Sequence, residues 1–305
     1  MNIDDLLLKA KLLNICEDID IGSGQYCHLI KLSDEQNILY IPDNVTNIYN
    51  SSEVTCKELK QTIHGVDGTL KVVGCKNLRR LKEAFVFDEL DTLDLTEIPF
   101  GKIFSPGLFK RSNIHKIELP KCKIKPERYT AVFFELYTDE LDLRKVSFEN
   151  VTDVGNLFYG TYMNKLKLNK NTWNIKRANF AFQAAKIREL DLSGLNLTKL
   201  ELAHSVFVSA SFKTLKLGCL DLRNLRSAYG TFSGTDVEEI DLSGLKLPEV
   251  CNLRALFHRC NAKMINFGDL QISRKCIDDE LFAFYKGNIK TTCEVIQHAY
   301  DNRKI

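Results

Sequence analysis

The chain lacks a long apolar run, an excess of one charge and a recognisable export signal. None of its 305 residues lies in a stretch approaching the ~20 apolar residues that a membrane-spanning helix needs. The first residues, MNIDDLLLKA, have no basic segment before an apolar one and no small-residue cleavage site after it. The 42 basic and 40 acidic side chains leave a net charge of +2, which argues against a protein that coats nucleic acid. We therefore expect a cytoplasmic protein with no membrane span.

Motifs that carry chemistry are also missing. Residues 22–24 (GSG) are not followed by the Gly-Lys-Ser/Thr of a phosphate loop. Asp18 and Asp20 begin like a calcium loop, but the next ligand position and the turn glycine do not fit. Cys27 and His28 are adjacent in sequence, and adjacent residues seldom face each other as nucleophile and base. No CxxC pair or HExxH motif occurs. The sequence thus predicts no enzyme, metal, cofactor or small-molecule substrate.

What the chain does contain is a repeat marked by phenylalanine. Nine phenylalanines follow one another at intervals of 24 or 25 residues. They are Phe85, Phe109, Phe133, Phe158, Phe182, Phe207, Phe232, Phe257 and Phe282. A hydrophobic residue recurring at so constant a step indicates one supersecondary unit stacked many times.

Each of the first eight phenylalanines is followed, eight residues later, by two apolar residues flanking a polar one. Examples are Leu141/Leu143, Leu166/Leu168 and Leu190/Leu192. This alternation is typical of a strand with one buried face. Further apolar positions follow, so that the unit is L-x-x-L-x-L-x-x-φ-x-L, where φ is apolar. The stretches before each phenylalanine have a spacing that suits one or two helical turns on the convex side.

These residues resemble the BspA-like leucine-rich repeats, which are common in bacterial surface proteins. Residues 109–120 (FKRSNIHKIELP) are similar to the A-F-x-x-C-x-x-L-x-x-I-x-L-P unit of that family. Residues 150–158 (NVTDVGNLF) and 41–48 (IPDNVTNI) are similar to a second unit of the superfamily. The resemblance covers roughly residues 70–275 and implies a curved parallel-sheet solenoid with a role in binding.

We therefore expect an α/β repeat protein, a right-handed leucine-rich-repeat solenoid with a curved parallel β-sheet. It should have about nine rungs of 24–25 residues and short helical turns on the convex side. Residues 38–275 would form the solenoid. Residues 1–37 and 276–305 would cap its two ends, because the ends of a solenoid expose a sheet edge and an apolar face. A separate binding role for residues 1–37 is the alternative.

The ten cysteines fit reduced, buried thiols better than a disulfide scaffold. Cys75 and Cys122 stand in an apolar position of the repeat. Cys260 stands three residues after Phe257, where other repeats have Ala185, Ala210 or Thr235. Such positions favour a small buried hydrophobe.

The repeat also allows the exposed side of the strands to be predicted. The residue between the two apolar ones should point away from the core, and neighbouring rungs of a parallel sheet lie ~4.8 Å apart. This position gives a concave charge ladder of alternating sign, formed by Asp142, Lys167, Asp191, Lys216 and Asp241. It is interpreted either as avoidance of like-charge contacts or as a polar recognition stripe. An alternating surface is in either case a poor track for phosphates.

A second pattern is the appearance of aromatic residues in two adjacent repeats only. The residue four positions after each phenylalanine is polar in most repeats. In these two repeats it is tyrosine, Tyr137 and Tyr162. One residue after the phenylalanine, the same repeats have Phe134 and Tyr159. Lys165 and Lys167 follow nearby. Exposed aromatic patches are enriched at binding hot spots, so we predict a partner-binding site here. The alternative is that Phe134 and Tyr159 fold inward and the tyrosines lie over them.

Two functions are consistent with this sequence. The first is a non-catalytic protein-binding scaffold, bacterial or from a mobile element, whose partner is another protein. The second is an exported, adhesin-like bacterial surface protein that binds an extracellular ligand.

Overall fold

The structure is a computed structural model that describes residues 3–22, 25–49, 66–82, 85, 87–103, 106–170, 173–248 and 251–305. It is a parallel β-solenoid of about nine turns with few helices. A ten-stranded sheet forms most of its length, and a three-stranded sheet continues it. The expected parallel solenoid is thus confirmed.

The strands are short, as expected for one strand per turn. They are β1 (Cys16–Gly22), β2 (Gln25–Ser33), β3 (Gln36–Ile41), β4 (Asn47–Tyr49), β5 (Thr69–Gly74), β6 (Arg80–Lys82), β7 (Leu90–Asp94), β8 (Ile114–Glu118), β9 (Cys122–Lys123), β10 (Tyr137–Leu143), β11 (Val146–Ser147), β12 (Tyr162–Leu168), β13 (Lys186–Asp191), β14 (Ser211–Lys216), β15 (Glu239–Asp241), β16 (Met264–Gly268) and β17 (Asn288–Thr291). The helices are α1 (Ile3–Leu12), α2 (Glu294–Asp301) and the 3-10 turns Phe100–Lys102 and Arg274–Cys276. The strand order is β1-β2-β3-β5-β7-β8-β10-β12-β13-β14 in the ten-stranded sheet and β15-β16-β17 in the three-stranded sheet.

The N-terminal end differs from the repeats because its strands are antiparallel. β1 pairs with β2, and β2 with β3, in antiparallel register. β3 then pairs in parallel with β5, which starts the solenoid. Helix α1 contacts β1 and β2 and buries Ala10. This end of the sheet is therefore built from a hairpin and a helix that do not follow the repeat.

At the C-terminal end, the parallel pairing continues past residue 275. β17 pairs with β16 in parallel, within the segment 276–305 that the sequence assigns to a cap. Helix α2 follows, and the ring of Tyr300 packs edge-on against Phe282 with centroids 5.7 Å apart. The Arg303 guanidinium lies 3.7 Å from the Tyr300 ring centre. These contacts cover the last ring of the repeat.

The nine phenylalanines form one continuous stack through the interior. Each ring lies on the next, with centroid distances between 4.9 and 6.5 Å. Phe282 completes the stack on Phe257 at 5.5 Å. All nine are buried. Parallel-offset aromatic contacts add to the free energy gained by burying the rings.

The segments around each phenylalanine form turns and not the short helices that the spacing suggested. Residues two before and two after it have positive φ in successive rungs, for example Ala131 (54°) and Glu135 (52°) on either side of Phe133. A left-handed residue ends a helical turn. The conformation is held by hydrogen bonds to the next rung, since Ala131 N–H donates to the Gly155 carbonyl (3.2 Å) and Glu135 N–H to the Tyr159 carbonyl (2.8 Å). In the described part of the chain, 3-10 turns occur only at 100–102 and 274–276.

Nine of the ten cysteines lie in the described ranges, and all nine are free thiols; Cys56 is outside those ranges. Cys75 and Cys260 are buried and Cys122 is half-buried. Burial raises the pKa of Cys75 to about 12 and that of Cys122 and Cys260 to about 11. These thiols therefore behave as small apolar side chains. Over the same ranges, no helix has the length and apolar character to cross a membrane.

Candidate partner-binding surface

The two tyrosines of the predicted site are brought together by the pairing of β10 with β12. Tyr137 and Tyr162 are register partners in this parallel pair. Their rings stack with centroids 6.1 Å apart and an interplanar angle of 20°. They nevertheless remain 48% and 52% exposed. The tyrosines thus form an ordered aromatic surface in contact with solvent.

Phe134 and Tyr159 form a second stacked pair. Their rings are nearly parallel, with an interplanar angle of 5° and centroids 4.8 Å apart. Both residues are half-buried. The Lys110 ammonium lies 5.9 Å from the Phe134 ring centre. The four aromatics are therefore two stacked pairs along neighbouring rungs, of which the tyrosine pair is the more exposed.

The tyrosine pair lines a shallow depression, which we call the tyrosine depression. Its other lining residues come from the two preceding rungs and from β10: Phe87, Asp88, Arg111, Asn113, His115, Thr138 and Asp139. The depression combines aromatic faces with carboxylate, imidazole and guanidinium groups. Such a mixture suits the recognition of a polypeptide side chain.

His115 occupies the centre of a polar ladder next to the tyrosines. Its Nδ1 lies 3.1 Å from Asp139 Oδ2, and its Nε2 lies 3.5 Å from Glu89 Oε1. Hydrogen bonds to Asp139 and then to Glu89 raise the pKa of His115 above its ordinary value. In the next rung, the amide of Asn164 donates to Asp139 at 3.4 Å. The ladder links four rungs through side chains alone.

Arg111 is held at the rim of the depression by an ion pair. Its Nε lies 3.0 Å from Glu135 Oε2 one rung further on, and its backbone is left-handed at φ 59°. Its side chain is 75% exposed. The guanidinium is therefore both positioned and accessible.

Lys165 and Lys167 take part in ion pairs on the sheet face and do not line the tyrosine depression. The Lys165 ammonium lies 3.4 Å from Glu189, and the Lys167 ammonium contacts Glu140. Both pairs join neighbouring rungs. Each lysine thus has a carboxylate partner within the sheet.

The charge ladder has the predicted register, but its charges pair mostly outside the ladder. Asp142 is the register partner of Lys167, and Asp191 of Lys216. The closest cation to Asp142 is nevertheless Arg144, two residues along the chain at 2.6 Å, and its hydrogen bond lowers the pKa of Asp142. Asp191 is bound by Lys170 at 3.2 Å. These contacts favour the interpretation of the ladder as avoidance of like-charge contacts over that of a polar recognition stripe.

Arg111, His115 and Asp139 were not among the residues predicted from the sequence. A signal for His115 and Asp139 exists, because His115, Asp139 and Asn164 follow one another at the repeat spacing of 24 and 25 residues. Only the parallel pairing shows that this position faces the same side as the tyrosines.

No family model matches the chain, and no curated protein or solved structure matches it either.

Proposed function

We propose that the chain is a non-catalytic scaffold that binds another protein at the tyrosine depression. The observation that carries this proposal is the stacked, half-exposed pair Tyr137 and Tyr162. A pair of exposed rings is a solubility liability, and a partner that covers it removes that liability. Tyrosine is also among the residues that dominate binding energy at protein interfaces.

Other exposed aromatics support the choice of this surface by contrast. Tyr26, Phe180, Tyr229 and Phe284 are exposed to a similar degree. Tyr26 lies on the N-terminal hairpin, the other three occupy different positions of the repeat, and the four rings do not stack on one another. In the described part of the chain, the tyrosine pair is the only place where two such rings meet in neighbouring rungs.

The mixed charge of this surface makes protein a better partner than nucleic acid. The tyrosine depression contains Asp88 and Asp139 beside Arg111 and His115. The sheet face alternates in sign along the charge ladder. Nucleic-acid binding requires an uninterrupted basic field.

We further propose that the solenoid is of the right-handed leucine-rich-repeat type, similar to the BspA-like family, and that the protein is cytoplasmic. The L-x-x-L-x-L-x-x-φ-x-L unit with its parallel strands supports the first proposal. The free cysteines of the described ranges support the second, because reducing compartments maintain thiols.

The test is a comparison of partner capture by three forms of the full-length chain. Proteins captured by the wild type from the source cells are identified, and the affinity of the purified partner is then measured. In the double variant Tyr137→Ser, Tyr162→Ser we expect each lost ring to weaken the binding free energy by ~2 kcal/mol or more. This corresponds to a roughly thirtyfold loss of affinity for each ring. The matched control is Tyr229→Ser, which removes a ring that is 46% exposed in a different position.

The melting temperature of the double variant should remain nearly unchanged, since surface substitutions usually alter stability by less than ~0.5 kcal/mol. Unchanged affinity in the double variant would exclude the tyrosine depression as the binding site. An equal loss in Tyr229→Ser would place the site elsewhere on the solenoid.

A further inference from the structure

Three potential metal ligands meet on the antiparallel hairpin at the N-terminal end of the sheet. They are the thiol of Cys16, a carboxylate oxygen of Asp18 and the imidazole of His28, whose ligand atoms all lie within 4.8 Å of one another. We propose that this trio binds a divalent transition metal ion, with Zn²⁺ as the best match. The inference concerns a different surface from the tyrosine depression and does not depend on it.

The ladder of the hairpin sets the geometry of the trio. Cys16 and Asp18 are two residues apart on β1, so their side chains lie on the same face of the sheet. His28 on β2 is the register partner of Asp18. All three ligands therefore come from paired backbone, which is a more rigid support than a loop.

Asp18 Oδ1 lies at the centre of the trio. It is 2.6 Å from His28 Nδ1 and 3.8 Å from Cys16 Sγ. In a tetrahedral zinc site, ligand distances of about 2.0–2.3 Å place neighbouring ligand atoms roughly 3.3–3.8 Å apart. The sulfur already has this separation from the carboxylate. The imidazole and carboxylate need to move apart by less than about 1 Å, which side-chain rotation supplies.

Neighbouring groups orient two of the three ligands. Lys11 of α1 binds the other carboxylate oxygen, Asp18 Oδ2, at 3.0 Å, which turns Oδ1 towards the trio. The His28 ring stacks on Tyr40 of β3, with centroids 5.8 Å apart and an angle of 22°. Outer groups of this kind hold ligands in place in known metal sites.

The chemical types of the ligands narrow the choice of ion. One thiolate, one imidazole and one carboxylate suit Zn²⁺ and exclude ions such as Mg²⁺ and Ca²⁺, which prefer oxygen ligands. Asp18 is 47% exposed and His28 only 13%. Water can therefore reach the side of Asp18 and provide a fourth ligand.

A bound ion would connect β1, the edge strand of the ten-stranded sheet, to β2. Through Asp18 and Lys11 it would also be linked to α1. Binding only to the folded hairpin stabilises it by mass action. We therefore infer a structural role for the metal at the N-terminal end of the solenoid.

The experiment uses the full-length reduced protein and Co²⁺ as a spectroscopic substitute for Zn²⁺. We expect one equivalent of Co²⁺ to produce a thiolate-to-cobalt charge-transfer band, and Zn²⁺ to displace it. The band should be lost in Cys16→Ser. In His28→Gln and Asp18→Asn, affinity should fall by more than the roughly 10–100-fold that loss of an outer-shell partner costs.

The matched control is Cys219→Ser, which removes the exposed thiol of a distant turn and should leave the band intact. Zn²⁺ should raise the melting temperature of the wild type and of Cys219→Ser, but not of Cys16→Ser. Absence of the band in the wild type, or its persistence in Cys16→Ser, would overturn the proposal whether or not each variant folds well.

Discussion

The interiors of the two halves of the solenoid differ, although both follow the same repeat. In the front half, residues 66–148, Phe133 and Phe148 are completely inaccessible to solvent. In the rear half, residues 173–257, the corresponding Phe182 retains 7% exposure, as do Leu192 and Val206. These rear residues line an entirely apolar cavity of about 160 Å³. The same repeat length therefore encloses a cavity beside the rear part of the phenylalanine stack.

The difference arises from two positions that face the phenylalanine stack. In the first, the front half has Phe100, Ile124 and Phe148, and Trp173 then stacks on Phe148 at 4.5 Å. The rear half continues this position with smaller side chains, namely Leu197, Leu222 and Leu247. In the second position, Tyr129 and Val154 are followed by Ala178, Ala203 and Ala228, before Leu253 restores a large side chain.

The interior does not contract around the smaller side chains, because the strand pairing and the phenylalanine stack determine the spacing between rungs. The parallel strand pairing and the phenylalanine stack continue through both halves, with ring centroids 5.7 Å apart at Phe109–Phe133 and 5.6 Å apart at Phe182–Phe207. Small side chains opposite a rigid ladder thus leave space unfilled. The comparison shows that the repeat determines the scaffold and that other positions determine how well it is filled.

The largest expected effect comes from removing one ring of the stack in each half. Phe133→Ala and Phe182→Ala should each cost ~3–5 kcal/mol of unfolding free energy. Phe133→Ala should be near the upper end, because its tightly packed surroundings lose more contacts. Urea unfolding of both variants measures this, with the exposed Phe180→Ala as a control expected to change stability by less than ~0.5 kcal/mol. A larger loss at Phe182 would mean that the rear half is the better packed.

A smaller change in unfolding free energy, here a stabilisation, tests whether the cavity can be filled. Ala203→Val adds two carbons beside the cavity, and at ~0.8 kcal/mol per buried methylene it should stabilise by up to ~1.5 kcal/mol. Val146→Leu adds one carbon at a completely buried position of the front half and should cost ~1–3 kcal/mol. Chemical denaturation of both variants distinguishes the halves. Equal destabilisation would show that the rear interior has no usable space.

The smallest expected contribution to stability comes from the His115 ladder, at the surface of the front half. The raised pKa of His115 means that its pairing with Asp139 and Glu89 stabilises the fold fully below the unfolded pKa of ~6.5. This contribution disappears as the pH rises through the higher folded pKa. Because these groups are exposed, we expect only ~0.2–1 kcal/mol.

An NMR titration of His115 measures this pairing directly. Asp139→Asn should move its pKa back towards the ordinary value, whereas Glu239→Gln in the rear half should leave it unchanged. A pKa that does not respond to Asp139→Asn would contradict the observed hydrogen bond.

Much of the repeat could be predicted from the sequence. The phenylalanine stack, the parallel strands and the register of Tyr137 with Tyr162 are all confirmed. They are predictable because residues one period apart in sequence are neighbours in space in a solenoid. Whether the tyrosine surface binds a partner stays a prediction.

Two features could not be predicted. The expected helical turns are replaced by turns with left-handed residues. In these turns, bonds to the next rung, such as Glu135 N–H to the Tyr159 carbonyl, alternate with bonds along the chain, such as Leu136 N–H to the Phe133 carbonyl. The Cys16, Asp18 and His28 trio was missed because its spacing matches no metal motif. It exists only through the antiparallel pairing of β1 with β2, a segment without repeats.

The period and the chemistry of the recurring positions thus determined, by sequence alone, that this chain stacks into a parallel solenoid around a phenylalanine core. The tertiary structure decided which polar groups surround the tyrosines, which ligands meet on the hairpin and where the interior is unfilled. The physical reason is the range of the interactions. A repeat reports contacts between equivalent positions, whereas packing volume and cross-strand contacts depend on several non-equivalent positions that only folding brings together.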